Sequence, residues 1–404
     1  MQAPSQVVSY AEGSRIVREH AGRVAPSRPP QPVELLSALG MVLAEPVHAD
    51  RDQPPFARST RDGFACRAAD LEGNAAVEVI GSIRAGDAAT IEVTAGHAVE
   101  IMTGAPVPAG ADCVVMVEHV EPKGDRLQLA PGRSIAPGEN IVPTGAEARD
   151  GAVILPAGTR IFPAQVAAAA ACGAAHLSVF ARPRVAIVAT GDELVEIDQK
   201  PLPQQIRNSN SYSLAAQVAA AGAEPVRLPI ARDERRHLET IIRTALECDL
   251  LLLSGGVSMG KYDLVEEVLL SLGAEFFFTG ALIQPGKPIV FGKLGERYFF
   301  GLPGNPVSTM VTFSLFVDPL LGALCGDAGR EPRFALGTLS SDVHVKTGLT
   351  RFLPARLRSD LTVEPVKWQG SGDLASTSQS NCFLVVPADR PLLAAGETVT
   401  ILLA

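Results

Sequence analysis

The segment Asp249–Leu272 constrains this chain more than any other. Asp249 through Leu253 is a short apolar run, the length of a buried strand. Ser254-Gly255-Gly256 breaks it, Gly260 closes the interruption, and apolar residues then fall at 264, 265, 268, 269 and 272, one face of a helix. Strand, glycine loop and helix in that order belong to α/β architecture. The loop exposes backbone N–H groups beside a helix N-terminus, and both suit an anion. Asp263, on the first helical turn, can cap the helix or serve a ligand, and the residues leave both open.

The chain around it keeps the same rhythm. Strand Val185–Ala189 ends in Thr190-Gly191-Asp192-Glu193, and a helix over Tyr212–Ala221 follows Asn208-Ser209-Asn210. Strand Glu224–Pro229 leads through Arg232-Asp233 to a helix over Glu234–Leu246. Further strands fall at Glu275–Thr279, Pro288–Gly292 and Tyr298–Gly301, before Leu302-Pro303-Gly304-Asn305-Pro306 and an apolar helix to about Leu324. Strands alternating with helices predict a parallel sheet covered on both faces. Ligands of such sheets bind beyond the carboxyl ends of the strands. Asp192 and Glu193, Asp233, Ser254 to Asp263, and Pro303 to Pro306 all fall there. Asp233 also reads as a helix N-cap and Glu193 as a solvated first-turn carboxylate. Several carboxylates at one sheet edge repel one another and any anion, unless Mg²⁺ is held by one or two of them together with ligand phosphates. Lys287, in Gln284-Pro285-Gly286-Lys287-Pro288, is the available counter-charge. The expectation is a phosphate-bearing substrate with a divalent ion.

The flanks differ in texture. Helices are expected over 5–20 and 32–40, separated by a proline-rich loop. From Val47 to about Val142 short β-like runs (Val77–Ile80, Ala98–Met102, Cys113–Val117) suggest an inserted all-β module. It carries two polar loops, Ser59–Ala65 and Met102–Pro106. A strand and an alanine-rich helix at 163–173 follow, and beyond residue 331 short alternating runs suggest a small β-barrel or sandwich. The expected division is 1–46 with 146–181, 47–145, 182–330 and 331–404.

Composition sets bounds on function. A net charge of −9 argues against nucleic acid as the main partner. Six cysteines without CxxC or metal-ligand spacing read as core residues in a reducing compartment. No signal-peptide pattern precedes the first helix, and Ala164–Ala175, the most apolar candidate for a membrane span, is too short, so a cytoplasmic protein is expected. The seven histidines adjoin no nucleophile, and there is no Walker loop.

Five motifs in series resemble the molybdopterin molybdenumtransferase family, to which the E domain of gephyrin is similar. They are Ser254-Gly255-Gly256-Val257-Ser258 with Asp263, Thr190-Gly191-Asp192-Glu193-Leu194, Pro285-Gly286-Lys287-Pro288, Leu302-Pro303-Gly304-Asn305-Pro306-Val307-Ser308, and the loop pair Ser59–Ala65 and Met102–Pro108. The resemblance runs from about residue 5 to 404. It implies an elongated homodimer of four-domain subunits, with each site between the α/β domain of one subunit and the inserted β domain of the other. Asp62 and Thr103 would then face Glu193, Asp233, Asp263 and Lys287 across the dimer. Asp233 and Asp263 would serve the metal. Thr190, Gly191, Asp192, Asn210, Ser254, Gly255, Gly256, Ser258, Gly286 and Pro303 to Pro306 would bind the pterin. The implied reaction is hydrolysis of adenylylated molybdopterin with insertion of molybdate at the dithiolene, assisted by Mg²⁺.

Two stretches depart from the pattern. Glutamine stands at 284 where the family usually has the first lysine of K-P-G-K-P. Asn140–Glu147 lacks the arginine and the first acid of N-x-R-x-x-G-E-D. Both changes remove positive or polar character that an oxyanion could use. The alternative reading is therefore a non-catalytic molybdopterin-binding or delivery protein of the same fold, serving a molybdoenzyme or another cofactor-synthesis protein. A peptide-docking scaffold is a third.

Overall fold

A computed structural model describes residues 6–26, 28–256 and 264–403. Its central sheet comprises β1 (Arg184–Ala189), β2 (Glu224–Arg227), β3 (Leu250–Ser254), β4 (Glu275–Phe278), β5 (Val290–Leu294) and β6 (Arg297–Leu302), ordered β2-β1-β3-β6-β5-β4. The first four in that order run parallel, whereas β5 is antiparallel to β6 and β4 to β5. The expected parallel sheet is thus a mixed one. Only Gly295-Glu296 joins β5 to β6, a hairpin too short for the crossover that parallel strands need.

Side chains leave the sheet alternately. Val185, Ile187, Leu250 and Leu252 enter the core beneath α1 (Asn210–Ala220) and a long helix at 306–324. Ala186, Val188, Leu251 and Leu253 enter the opposite core, beneath α2 (Arg235–Ala245) and α3 (Leu264–Ser271). Burial on both faces is what the near-continuous apolar strands require. The long helix, α4 (Pro306–Leu324), widens into a π turn at Phe313–Val317 just before Asp318-Pro319. Proline lacks an N–H and its ring crowds the carbonyl four residues back, and the wider turn accommodates both. Among the described residues α4, not Ala164–Ala175, is the helix long and apolar enough to cross a membrane. However, 83% of its most apolar stretch is already buried inside the molecule.

The N-terminal helix starts later than expected. Val7–Val8 first pairs with Gly280–Ala281, and the helix then runs Tyr10–Ala21, with Ser9 Oγ accepting from the Glu12 N–H at 3.2 Å. No helix forms over 32–40. Pro30–Glu34 is a strand paired with His176–Phe180, and Leu35–Ala38 a single 3-10 turn. Pro30 and Pro32 carry no N–H to continue a helix, and an edge strand tolerates them.

The inserted segment forms a six-stranded sheet in the order 113–116, 63–66, 97–101, 76–83, 126–129, 120–123. At the C-terminus five strands close into a barrel, because Thr350–Leu357 pairs with both Thr362–Pro365 and Cys382–Val386. Ile283–Gln284 adds to this barrel in parallel with Thr350–Arg351, so the Gln284–Pro288 loop is hydrogen-bonded to the C-terminal unit. All six cysteines are buried and free, as their spacing suggested.

Candidate active site

A cleft of about 520 Å³ opens at the carboxyl ends of β1, β3 and β6. The chain steps one way from β1 to β2 and then back past β1 to β3 on its other side, so the cleft lies where the strand order reverses. Thr190, Gly191 and Glu193 line it after β1, Ser254, Gly255 and Gly256 after β3, and Pro303 to Pro306 after β6. Asn210 and Asp233, also expected, join them, while Gly372 and Leu374 arrive from the C-terminal unit.

Asn210 fastens these loops together. Its Nδ2 donates to Ser254 Oγ at 2.9 Å and to Gly304 O at 2.8 Å, joining the turns after β3 and β6 to the start of α1. Its Oδ1 is buried without a partner, as is Thr190 Oγ1. Gly255 and Gly256 have φ of +91° and +63°, and a Cβ on either would lie 2.7 Å from an oxygen of Thr190. Only glycine admits that close approach of the two loops. Unpaired polar atoms on the walls of a polar cleft are groups that a bound ligand can satisfy.

The acidic side is equally specific. The Asp233 N–H donates to Asp192 Oδ1 at 3.3 Å. Partial burial, then Asp192, then Glu193 push the Asp233 carboxyl above its ordinary pKa. Asp192 contributes through this contact rather than as a wall of the cleft. Asp233 does not cap α2, contrary to the N-cap reading. The cap position is Glu234, and no side chain bonds the first-turn N–H groups there. Among the described residues no group of three or more His, Cys, Asp or Glu comes together to hold a metal unaided. A cation sharing one or two carboxylates with substrate phosphates fits the donors present, and it would relieve the repulsion that perturbs Asp233. Asp263 and Ser258 lie outside the described residues.

Gln284, Gly286 and Lys287 line a different cavity, of about 350 Å³, which shares Pro288, Pro303 and Asn305 with the cleft. Its outer wall holds Trp368 and Ser371 from the C-terminal unit. Lys287 is exposed, and among the described residues no carboxylate lies within ion-pair distance of it.

Asp62 and Thr103 stand apart from both cavities within one chain. They bond each other: Asp62 Oδ1 accepts from the Thr103 N–H at 2.6 Å and from Thr103 Oγ1 at 2.8 Å, which holds its carboxyl below the usual range. The altered stretch 140–147 lies on the same side. Ile141–Val142 pairs with Arg58–Ser59, and the Thr60 N–H donates to Asn140 O at 3.0 Å.

Residues 8–173 match the family described as MoeA N-terminal region (domain I and II), 186–323 the probable molybdopterin binding domain, and 337–404 the MoeA C-terminal region (domain IV). A Nostoc molybdopterin molybdenumtransferase is 36% identical over 92% of this chain and 88% of its own length. The Bacillus subtilis protein of that name is 34% identical over 92% and 89%. This chain belongs to the molybdopterin molybdenumtransferase family. A crystal structure of the molybdopterin biosynthesis MoeA protein of Pyrococcus horikoshii OT3 superposes with a TM-score of 0.81 at 30% identity, covering 99% of this chain and all of that one. Within this molybdopterin molybdenumtransferase fold, sequence reasoning overlooked Arg207, Trp368, Gly372 and Leu374. Arg207 directly precedes the Asn208-Ser209-Asn210 turn and could have been found there. The other three sit in a unit read only as a β module and carry no motif.

Proposed function

We propose that the protein catalyses a late step of molybdenum cofactor assembly, the hydrolysis of adenylylated molybdopterin with insertion of molybdate at the dithiolene. One juxtaposition carries the reading. An anion cradle, made of the Gly255-Gly256 turn, the start of α1 and the unpaired Thr190 hydroxyl, shares one cleft with the repelling carboxylates Glu193 and Asp233. A phosphate with a cation bound beside it satisfies both. Asp233, with Asp263, would hold Mg²⁺ beside the substrate phosphates, and when bound it supplies charge neutralisation at the phosphoryl group. Thr190 donates to the substrate and Asn210 Oδ1 accepts from it, while Asn210 Nδ2 keeps the loops in register. Molybdate is placed in the adjoining cavity, where Lys287 supplies the positive charge.

Asp62 and Thr103 complete this site from the second subunit of a homodimer, a reading supported by their distance from both cavities of their own chain. The four-part division 1–46 with 146–181, 47–145, 182–330 and 331–404 is supported by apolar clusters that stay within 47–145, 182–330 and 331–404, although a larger core also joins Val8, Val17, Phe352 and Phe383 to the 182–330 unit. Six free, buried thiols support a reducing, cytoplasmic setting. The test is to mix purified protein with adenylylated molybdopterin, Mg²⁺ and molybdate and to follow AMP release. Pterin binding without AMP release would establish the non-catalytic carrier instead.

A further inference from the structure

We propose that Arg207 grips the phosphate of the substrate in the main cleft; the inference rests on the reading that this cleft takes an adenylylated pterin. Arg207 is the only lysine or arginine among the described residues that line it. Its Nε donates to Ile197 O at 3.1 Å, which orients the guanidinium on the 194–207 turn. Among the described residues no carboxylate lies within ion-pair distance of its remaining N–H groups. Two nearby arginines are engaged: Arg227 lies 3.9 Å over the Tyr212 ring and pairs with Glu196, and Arg235 pairs with Glu267.

Three further observations place an anion beside it. Arg207 lies three residues before α1, an 11-residue helix whose cap residue Ser209 and first residue Asn210 also line the cleft. Ser209 makes no side-chain cap, and of the first-turn N–H groups the Ser211 N–H is taken by Asn208 Oδ1 at 3.2 Å, so the helix start keeps only part of its N–H groups for a ligand. Thr190, only 5% exposed and also lining the cleft, carries an unpartnered hydroxyl against the Gly255-Gly256 turn. Glu193 and Asp233 in the same cleft repel an anion, so a bound phosphate needs a fixed cation close at hand. A planar guanidinium offers two parallel N–H groups to a phosphate, where an ammonium offers a point charge.

The experiment measures equilibrium binding of AMP and of adenosine to the full-length protein, at fixed ionic strength, for wild type, Arg207→Gln and Arg207→Lys. Circular dichroism and thermal unfolding control for folding. Wild type is expected to hold AMP more tightly than adenosine. Arg207→Gln is expected to lose about tenfold or more in AMP affinity with adenosine unchanged, and Arg207→Lys to recover part of it. AMP bound no better than adenosine by wild type, or equally well by Arg207→Gln, overturns the proposal. If AMP release from the adenylylated pterin is intact in wild type while Arg207 proves indifferent, the reaction stands and this assignment falls. If Arg207 governs AMP binding but no release occurs, the phosphate subsite stands and the proposed reaction falls.

Discussion

Gln284 and Lys287 sit on one short loop and line the same small cavity, yet only Lys287 brings charge to it. A charge-assisted hydrogen bond is roughly twice as strong as a neutral one, so glutamine holds geometry but not electrostatics. Gln284→Lys should therefore lower the molybdate concentration for half-maximal cofactor formation, and Lys287→Ala should abolish formation, with pterin binding little changed in both. Trp368, the only tryptophan of the chain, lines that cavity, and its emission during a molybdate titration gives an independent readout. An unchanged or higher half-saturation in Gln284→Lys would show that position 284 does not face the oxyanion.

A second expectation at this scale concerns pH. The Asp233 carboxyl is raised by burial, then by Asp192 and Glu193, so it binds a proton at higher pH than a free carboxylate. Protons compete with Mg²⁺ there, and the Mg²⁺ requirement for AMP release should rise as solutions are acidified from neutrality. Asp192→Asn removes one of the charges that raise Asp233, which lowers its pKa. The midpoint of that rise should then shift to more acidic pH, whatever the change in Mg²⁺ affinity itself. An unmoved midpoint would mean that Asp233 does not set the acid limb.

At the scale of elements, the site is three loops held by one amide. Asn210→Ala removes the donors to Ser254 and Gly304. It should cost about 1–2 kcal/mol of stability by urea unfolding. Pterin affinity should fall by more than that loss explains, since the loops after β3 and β6 lose their common anchor. Wild-type pterin binding would confine Asn210 to stability. The strand-loop-helix order around this anchor was legible in the sequence, because apolar period and glycine placement are local signals. Asp233 was misread as a cap, since a helix start in sequence does not say which side chain reaches the N–H groups. The strand at 30–34 was missed because its partner, 176–180, lies far along the chain.

At the scale of the molecule, Asp233 lines the main cleft whereas Asp62, in the inserted unit, lines neither described cavity of its own chain. A homodimer with shared sites brings them together, and complementation tests it. Asp62→Asn and Asp233→Asn should each lose turnover, and co-expressed as mixed dimers they should regain it, because one of the two shared sites is then free of both changes. Sedimentation should show a dimer at micromolar protein. A fully active monomer, or mixed dimers as inactive as the parents, would place the whole site in one chain.

By itself the sequence determined the α/β core, the closing β unit, the glycine turns and, of the polar residues that line the main cleft, Thr190, Glu193, Asn210, Asp233, Ser254 and Asn305. These follow from short-range rules: apolar period, turn chemistry and the crowding of polar segments at strand ends. Tertiary structure alone decided that β4 and β5 run antiparallel, and that Lys287 opens beside the cleft rather than in it. It also brought in Trp368 and Gly372 from the barrel, and left Arg207 as the cleft's unpaired cation. Each of these depends on which distant segments meet. Ile283–Gln284 joins the barrel at Thr350–Arg351, and hydrogen bonds between such remote stretches leave no period in either one.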